Sequence, residues 1–238
     1  MFYQLTFLYN KHAIMSRVVV SWSGGKESTF ACYRAISMGN EVLFLFNMAL
    51  ADGKRSMSHG IRSELLIAQS EAIGIPLIQR KTTWNNYEKD FKEEILHLKK
   101  FGIKGIVFGD IDIQEHRDWD ERICNELKVE PILPLWGQER GLLLENFIKM
   151  GFKAVIVTVN AKLLDQNLLN RCVNDQLIKD LSKIQNIDLC GERGEYHTFV
   201  YDGPFFKKYI KLLESKKILK NGYWFLDIIK YNLINKTN

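Results

Sequence analysis

The feature that most constrains this sequence is the junction after its first apolar strand, VVVSWSGGKESTF at residues 18–30. Four strand-like residues run into Trp22, and a serine, glycine and lysine cluster precedes a helix-like segment. Gly24 and Gly25 allow backbone angles closed to other residues and let the main chain approach a ligand closely. A helix that starts here directs free N–H groups and a positive dipole end into the turn, and Lys26 adds a cation. The junction therefore predicts a phosphate-binding turn.

The first half of the sequence alternates apolar strands with amphipathic helices. The predicted strands are 18–21, 41–50, 76–79 and 104–109, and the predicted helices are 27–38, 61–73 and 87–101. This order predicts a doubly wound α/β domain with a parallel sheet and right-handed crossovers. In such sheets ligands bind beyond the carboxyl ends of the strands, which places 23–28, 51–60 and 109–112 on one rim.

The pattern changes after residue 137. A helix at 142–150, a strand at 154–159 and a mostly helical stretch at 161–186 are followed by a charged, glycine-containing cluster at 187–204 and a final strand at 223–231. We therefore expect two parts packed together: a nucleotide-binding domain at 15–137 and a smaller α+β domain at 138–238 that completes the substrate site.

Composition limits the class of protein. The 238 residues are 46% hydrophobic and 26% charged, with a net charge of +5, as in an ordinary soluble globular protein without a dense nucleic-acid-binding block. Four scattered cysteines without a CxxC pair argue against a zinc site or a disulfide framework and favour a reducing, cytoplasmic setting. No apolar run approaches the roughly 20 residues of a membrane span. Residues 1–14 are expected to be a dispensable extension, the alternative being an edge segment of the fold.

The SGGKES turn is neither a Walker A loop nor a dinucleotide fingerprint. Its spacing matches the PP-loop, SGGxDS, of enzymes that split ATP into AMP and pyrophosphate, with Glu27 where aspartate is commoner. We therefore predict that the turn binds ATP, the alternative being a serine- and glycine-rich turn without a ligand. The predicted nucleotide-binding residues are Ser23, Gly24, Gly25, Lys26, Glu27 and Ser28.

Five segments together resemble a known family. They are SGGKES and the segments at 59–77, 108–137, 151–159 and 188–204, the last reading DLCGERGEYHTFVYDGP. The chain resembles the diphthine–ammonia ligase family of PP-loop ATP pyrophosphatases over nearly all of residues 17–206. The resemblance implies a Rossmann-like fold of the PP-loop type and a cytoplasmic ligase that uses ATP and Mg²⁺. It also implies the reaction: the carboxylate of diphthine, a modified histidine on elongation factor 2, is adenylated and then amidated by ammonia.

This chemistry makes two demands on the protein. An anionic carboxylate attacks the α phosphorus of ATP, so Mg²⁺ and basic groups must offset the repulsion between like charges. Ammonia then attacks the acyl adenylate, which requires a proton acceptor and a site that excludes water.

Four residues on the same rim complete the predicted nucleotide site. His59 and Arg62 follow the second strand, and Gly109 and Asp110 end the fourth. Asp110 is a candidate Mg²⁺ ligand, although a helix-capping role is the alternative. His59 as a helix cap and Arg62 as a surface residue are also left open.

The 187–204 cluster supplies the candidates for amidation. Glu195 and His197 are predicted to be catalytic with Lys26, His197 taking a proton and Glu195 orienting it or binding ammonium. The predicted substrate-binding residues are Arg117, Glu192, Gly194, Tyr196 and Thr198. A solvated acidic loop is the alternative. Because the cluster lies at the other end of the chain from SGGKES, we expect its substitution to leave ATP binding nearly intact.

Two other functions fit parts of the sequence. One is another adenylating PP-loop enzyme, such as a tRNA-modifying one. The other is a nucleotide sensor without turnover, which would not need the glutamate–histidine cluster. The acceptor could also be a different carboxylate, and a homo-oligomer is compatible with the sequence. The sequence names neither the true acceptor nor the source of the ammonia.

Overall fold

The structure, a computed structural model, describes residues 16–236. The expectation about residues 1–14 therefore lies outside the described residues. Within residues 16–236 no helix is long and apolar enough to cross a membrane.

The N-terminal part contains a five-stranded sheet with the strand order β3-β2-β1-β4-β5, and all its pairings are parallel. A parallel sheet of this order with helices on both faces is the doubly wound α/β fold that the alternation predicted. Its elements are β1 (Arg17–Ser21), α1 (Lys26–Ser37), β2 (Glu41–Leu50), α2 (Ser63–Ile73), β3 (Leu77–Thr82), α3 (Tyr87–Leu98), β4 (Gly105–Val107), α4 (Gln114–Leu127) and β5 (Glu130–Ile132).

The C-terminal part contains a four-stranded antiparallel sheet with the order β7-β6-β9-β8. The strands β8 and β9 form a long hairpin that turns at Asn221 and Gly222, both with positive φ. This is the smaller α+β region that was predicted. Its elements are α5 (Arg140–Lys149), β6 (Lys153–Asn160), α6 (Asp175–Leu181), β7 (Tyr196–Asp202), β8 (Lys208–Lys220) and β9 (Tyr223–Asn235).

Two hydrophobic clusters cover the two faces of the parallel sheet. Val19 of β1 faces a cluster formed with α3 and α4. Val18 and Val20 face a larger cluster that takes in α1 and α2 and continues through α5 and β6 to Leu226 and Ile228 of β9. The second cluster crosses residue 137 without interruption. Division into domains at 15–137 and 138–238 thus stays a prediction, and the two parts share one core.

One predicted element is largely wrong. Residues 161–186 were expected to be mostly helical, but they contain only a 3₁₀ turn at Gln166–Leu168 and the short α6. Asn170 and Asn186 adopt positive φ, which a helix does not accommodate, and Cys172 bridges to Val155 of β6. The 187–204 cluster, which showed little periodicity, contains strand β7.

Candidate functional site

The predicted phosphate turn lies between β1 and α1, at the carboxyl edge of the parallel sheet. Gly24 has φ +80°, and a Cβ there would lie 2.5 Å from Leu66 Cδ2. A Cβ on Gly25 would lie 2.4 Å from His59 Cε1. Both positions therefore require glycine, one for its backbone angle and its packing, the other for the close approach of a histidine ring.

The two serine hydroxyls of the turn are bonded to each other and to its backbone. Ser23 Oγ lies 3.0 Å from Ser28 Oγ, and the Gly25 N–H donates to Ser23 Oγ at 3.2 Å. The Ser23 N–H also donates to Ser28 Oγ at 3.3 Å. These bonds hold the turn closed around the start of α1, where the positive end of the helix dipole lies.

Strand β7 of the C-terminal sheet packs directly against the turn. The Lys26 N–H donates to Thr198 Oγ1 at 3.0 Å, and the Val200 N–H donates to the Gly24 carbonyl at 3.0 Å. Thr198 is fully buried and caps the first amide of α1 from 172 residues away, so its predicted contact with substrate has no support in its position. The premise that the cluster lies apart from the phosphate turn is wrong, because β7 forms one side of that turn.

Gln69 of α2 links three backbone segments at this junction. It is fully buried, and its Nε2 donates to the carbonyls of Gly24 at 3.0 Å and Val200 at 2.6 Å. Its Oε1 accepts from the Trp22 indole at 3.0 Å. Gln69 was not predicted as a site residue, because a single glutamine within an amphipathic helix belongs to no recognisable motif.

Lys26 is 2% exposed and does not extend into solvent. Its Nζ donates to the Cys190 carbonyl at 2.6 Å, pairs with Glu27 at 2.5 Å and lies 4.8 Å from the centre of the Tyr196 ring. Burial lowers the pKa of Lys26, but Glu27 and the other neighbours outweigh it and raise that pKa above its usual value. A permanent cation therefore lies beside the phosphate turn, held by the segment around Cys190.

Two histidines stack beside this cation. The rings of His59 and His197 are 4.4 Å apart and nearly parallel, and His59 Nδ1 is buried without a hydrogen-bond partner in the described residues. Burial and the Lys26 charge lower the pKa of His197 to about 4. Burial, His197 and Lys26 bring the pKa of His59 well below its usual range. Both rings are therefore neutral near pH 7 and able to accept a proton.

Glu195 is 1% exposed, and within residues 16–236 its hydrogen bonds go to backbone groups and not to His197. Its two oxygens accept from the backbone N–H groups of Asp188 at 3.1 Å and Arg193 at 3.0 Å. Tyr196 is also buried, and its hydroxyl donates to the Leu189 carbonyl. The predicted orienting role of Glu195 toward His197 is thus replaced by a different one: it holds the 188–193 segment, whose Cys190 carbonyl receives Lys26.

Among three further carboxyl groups, those of Glu192 and Asp120 each interact electrostatically with that of Asp110. Burial, together with the charge of Glu27, raises the pKa of Glu192 to about 8. Burial and the adjacent Asp110 raise the pKa of Asp120 to about 9, and Asp120 Oδ2 has no hydrogen-bond partner among residues 16–236. Asp110 Oδ1 accepts a hydrogen bond from His116 Nδ1 at 2.9 Å. Gly109, just before it, approaches so closely that a Cβ would lie 2.9 Å from Ser28 N.

The donor set here suits magnesium only in part. Among residues 16–236 no group of three or more histidine, cysteine, aspartate or glutamate side chains is arranged to hold a metal. Mg²⁺ is commonly held by one or two carboxylates together with substrate phosphates, and Asp110 with the partly unpaired Asp120 provides that number.

Two predicted site residues are engaged elsewhere. Arg62 forms a two-pronged ion pair with the buried Asp227 of β9, at 2.7 and 2.8 Å, and Arg55 donates to the same carboxylate at 2.8 Å. Arg117 pairs with Glu121 at 2.6 Å and lies over the Trp136 ring. In this geometry Arg62 joins the two parts of the molecule rather than facing the turn. Gly194 is half-buried and has positive φ, directly before Glu195.

Two neighbouring cavities open beside the turn. The smaller, about 150 Å³, is lined by the ends of β1 and β2 and includes Ser23. The larger, about 580 Å³, is lined by residues of both parts and includes His197 and Thr158. Met57, Ser58 and Trp84 line both, so the two cavities share a wall.

Two family models match this chain. The model described as diphthamide synthase N-terminal domain matches residues 16–131, and the one described as diphthamide synthase C-terminal domain matches residues 139–234.

Proteins of known name are similar over most of its length. Diphthine–ammonia ligase of Danio rerio is 30% identical over 226 residues, which span 85% of this chain and 89% of the relative. The enzyme of the same name from Homo sapiens is 27% identical over 230 residues, spanning 87% of this chain and 86% of the relative. A crystal structure described as a predicted subunit of tRNA methyltransferase from Methanocaldococcus jannaschii covers 77% of this chain and 96% of its own, with 14% identity and a TM-score of 0.44, too distant to carry an argument.

Proposed function

The chain belongs to the diphthamide synthase family, and from that premise we propose that it is an ATP-dependent ligase that converts the carboxylate of diphthine on elongation factor 2 into an amide with ammonia. One observation supports this reaction above the others. The glycine-containing turn lies beside two adjoining cavities, so a nucleotide and a second substrate can meet next to a buried cation and two neutral imidazoles.

The first half-reaction joins the acceptor to the nucleotide. An oxygen of the acceptor carboxylate attacks the α phosphorus, the bond from that phosphorus to the bridging oxygen breaks, and pyrophosphate leaves. The N–H groups at the start of α1 and the charge of Lys26 oppose the negative charge that accumulates on the departing phosphates. Because Lys26 is held in place by Cys190 and Glu27, it needs little rearrangement to act.

Magnesium would be held by Asp110 together with the phosphates, and it would neutralise part of their charge. This role for Asp110 is a proposal that rests on its place at the end of β4, next to the start of α1, and on the neighbouring Asp120.

The second half-reaction forms the amide. The nitrogen of ammonia attacks the carbonyl carbon of the acyl adenylate, a proton leaves the nitrogen, and AMP departs with the electrons of the broken C–O bond. We assign the proton acceptor to His197, since it lines the larger cavity and is neutral at pH 7. Its low pKa makes it a weak base, which suits removal of a proton from a positively charged tetrahedral adduct rather than from free ammonium.

The remaining assignments of the sequence analysis stay proposals with unequal support. Ser23, Gly24, Gly25, Glu27 and Ser28 form the turn itself, and His59 lies against it. Glu192 lies close enough to Glu27 and Lys26 to interact with them electrostatically. The cytoplasm as the site of action is supported by four cysteines that are unpaired in the described residues.

The decisive experiment combines the purified protein with ATP, Mg²⁺ and ammonium, with and without elongation factor 2 that carries diphthine. We expect AMP, pyrophosphate and amidated factor in equal amounts, and only when the factor is present. ADP with inorganic phosphate would contradict cleavage at the α phosphorus. ATP binding without any turnover would instead indicate a nucleotide sensor.

A further inference from the structure

The larger cavity and the smaller one are lined mostly by different residues. The smaller cavity contains Ser23 and the ends of β1 and β2, which is where a nucleotide lies in a doubly wound sheet. The larger cavity contains no residue of the phosphate turn at 23–28 and is walled instead by the 55–60 loop and the Lys220–Phe225 end of the β8–β9 hairpin. Its volume of about 580 Å³ is ample for one long side chain.

The charges that line this cavity are both positive. Arg55 is neutralised by the buried Asp227 at 2.8 Å and also donates to the Gly60 carbonyl at 2.9 Å. Lys220, at the end of β8, has no ion-pair partner within the described part of the chain, and no acidic residue lines the cavity there. The unneutralised charge of Lys220 therefore favours an anionic group.

Aromatic rings form another part of the wall. Trp84 is 69% exposed, an unusual degree for a tryptophan, and it lines both cavities. Its ring is stacked on Tyr87 with centroids 6.1 Å apart, and Tyr87 is stacked in turn on the buried Phe91 at 6.2 Å. Tyr223 and Phe225 of β9 line the larger cavity as well. Because Trp84 packs on Tyr87 with one face and is exposed beside the cavity, its ring can stack on a flat group of a ligand.

We propose that the larger cavity receives the acceptor side chain, with Trp84 stacking on its ring and Lys220 attracting its carboxylate. The class of ligand is a flat-ringed side chain that carries a carboxylate, and a histidine modified with a carboxylate meets both requirements. This inference rests on the proposed function. It adds two specificity-determining residues, neither of which belongs to the phosphate turn or to the 187–204 cluster.

The test measures amide formation at varied concentrations of diphthine-bearing elongation factor 2, with ATP binding measured separately. For Trp84→Ala we expect the KM for the factor to rise about fivefold to tenfold, the loss typical of one aromatic stacking contact. The Kd for ATP should stay within about twofold. Trp84→Phe keeps a ring and should restore most of the affinity. Phe101→Ala removes another half-exposed aromatic, in the 3₁₀ turn that follows α3 and outside both cavities, and serves as the matched control.

Lys220→Gln should raise the KM for the factor severalfold at low salt and less at high salt, because screening weakens an exposed charge. Lys216→Gln, on the same strand but outside the cavity, should leave that KM unchanged. If Trp84→Ala weakens ATP instead of the factor, Trp84 is a nucleotide platform and the inference is wrong. If neither the Trp84 nor the Lys220 variant changes the KM for the factor, it is wrong as well. If the parent protein, without any substitution, forms no amide, the proposed function itself is refuted. That result differs from the two outcomes above, which refute only the inference about the larger cavity.

Discussion

The two parts of this molecule contribute to the site in different ways. The N-terminal part provides a contiguous motif, in which residues 23–28 form the whole turn between one strand and one helix. The C-terminal part provides separate residues from three regions of its sheet: Thr158 on β6, the 188–200 segment leading into β7, and the end of the β8–β9 hairpin. Neither part holds a complete site, since β7 caps α1 and the hairpin closes the larger cavity.

This difference places the residues proposed for the two half-reactions in one network of contacts. Thr198 and Val200 form hydrogen bonds with the phosphate turn. Glu195 is linked to the same turn indirectly, because it holds the segment whose Cys190 carbonyl accepts a hydrogen bond from Lys26. A change in the 188–200 segment is therefore expected to affect the proposed nucleotide site and the proposed acceptor site together. The variants below test this dependence, in order of decreasing effect.

The largest effect is expected at His197, where the proposed proton acceptor lines the acceptor cavity. His197→Ala should lower the rate of amide formation roughly 10²–10⁴-fold, the usual contribution of a general base. Pyrophosphate release should continue, because the adenylate would then be lost to water. Measuring pyrophosphate and amide in one assay gives the number of pyrophosphates released for each amide formed. Equal loss of pyrophosphate and amide would show that His197 acts before adenylation.

Glu195→Gln provides the matched comparison, since it lies two residues away and carries no proton in the proposed mechanism. We expect it to weaken ATP binding and amidation together, because it loosens the segment that holds Lys26. A Glu195→Gln protein that binds ATP normally and fails only in amidation would instead support the expectation from sequence, in which the 187–204 cluster acts independently of ATP binding.

Lys26→Met tests the N-terminal motif itself. Removing the charge while keeping most of the side-chain length should lower AMP formation about 10²–10³-fold, as loss of one preorganised electrostatic contact does. The buried Cys190 carbonyl would also lose its hydrogen-bond donor. We therefore expect the free energy of unfolding to fall by about 1–3 kcal/mol, measured by urea denaturation. Normal ATP cleavage by this variant would mean that the phosphate turn is misassigned.

Gln69→Leu tests whether the bonds between the two parts position the turn. Loss of the donor to Gly24 and Val200 should weaken ATP binding by roughly tenfold, the value of one or two buried hydrogen bonds. Gln69→Glu keeps the acceptor for Trp22 but places a carboxylate against two carbonyls, so its effect should be at least as large. Ser70→Ala removes a hydroxyl that bonds within α2 and is the control. Unchanged ATP affinity in all three would assign Gln69 to packing alone.

The smallest effect is expected for Glu192→Gln, through pH. Glu192 faces Lys26, Glu27, Asp110 and Asp188, and its pKa in the folded protein is raised from 4.5 to about 8. A carboxyl with a raised pKa stabilises the fold below its unfolded pKa, and this contribution is lost as pH rises through the folded value. The parent protein should therefore lose stability between pH 5 and pH 8, by at most about 1.4 kcal/mol per pH unit, that the glutamine variant keeps. Parallel stability profiles would show that Glu192 titrates normally.

The sequence by itself determined the N-terminal part well, because its signals are local. The fold class and the positions of β1, β2, α1 and α2 followed from apolar periodicity, and family membership followed from segments that include SGGKES and the 188–204 cluster. Residues 208–220, by contrast, were assigned no element. As strand β8 they pair along their whole length with β9, and their many lysines carry no clear period-2 pattern.

Only the tertiary structure decided how the site is assembled. Distance along the chain suggested that Glu195 and His197 lie far from Lys26, but an antiparallel sheet returned β7 to the start of α1. Arg62, Thr198 and Gln69 each bond to a residue 131 to 172 positions away in the sequence, and no local sequence pattern indicates such pairs. A hydrogen bond or an ion pair is set by distance in space, whereas a motif records only distance along the chain. The residues that complete the phosphate turn were for this reason visible only in the folded protein.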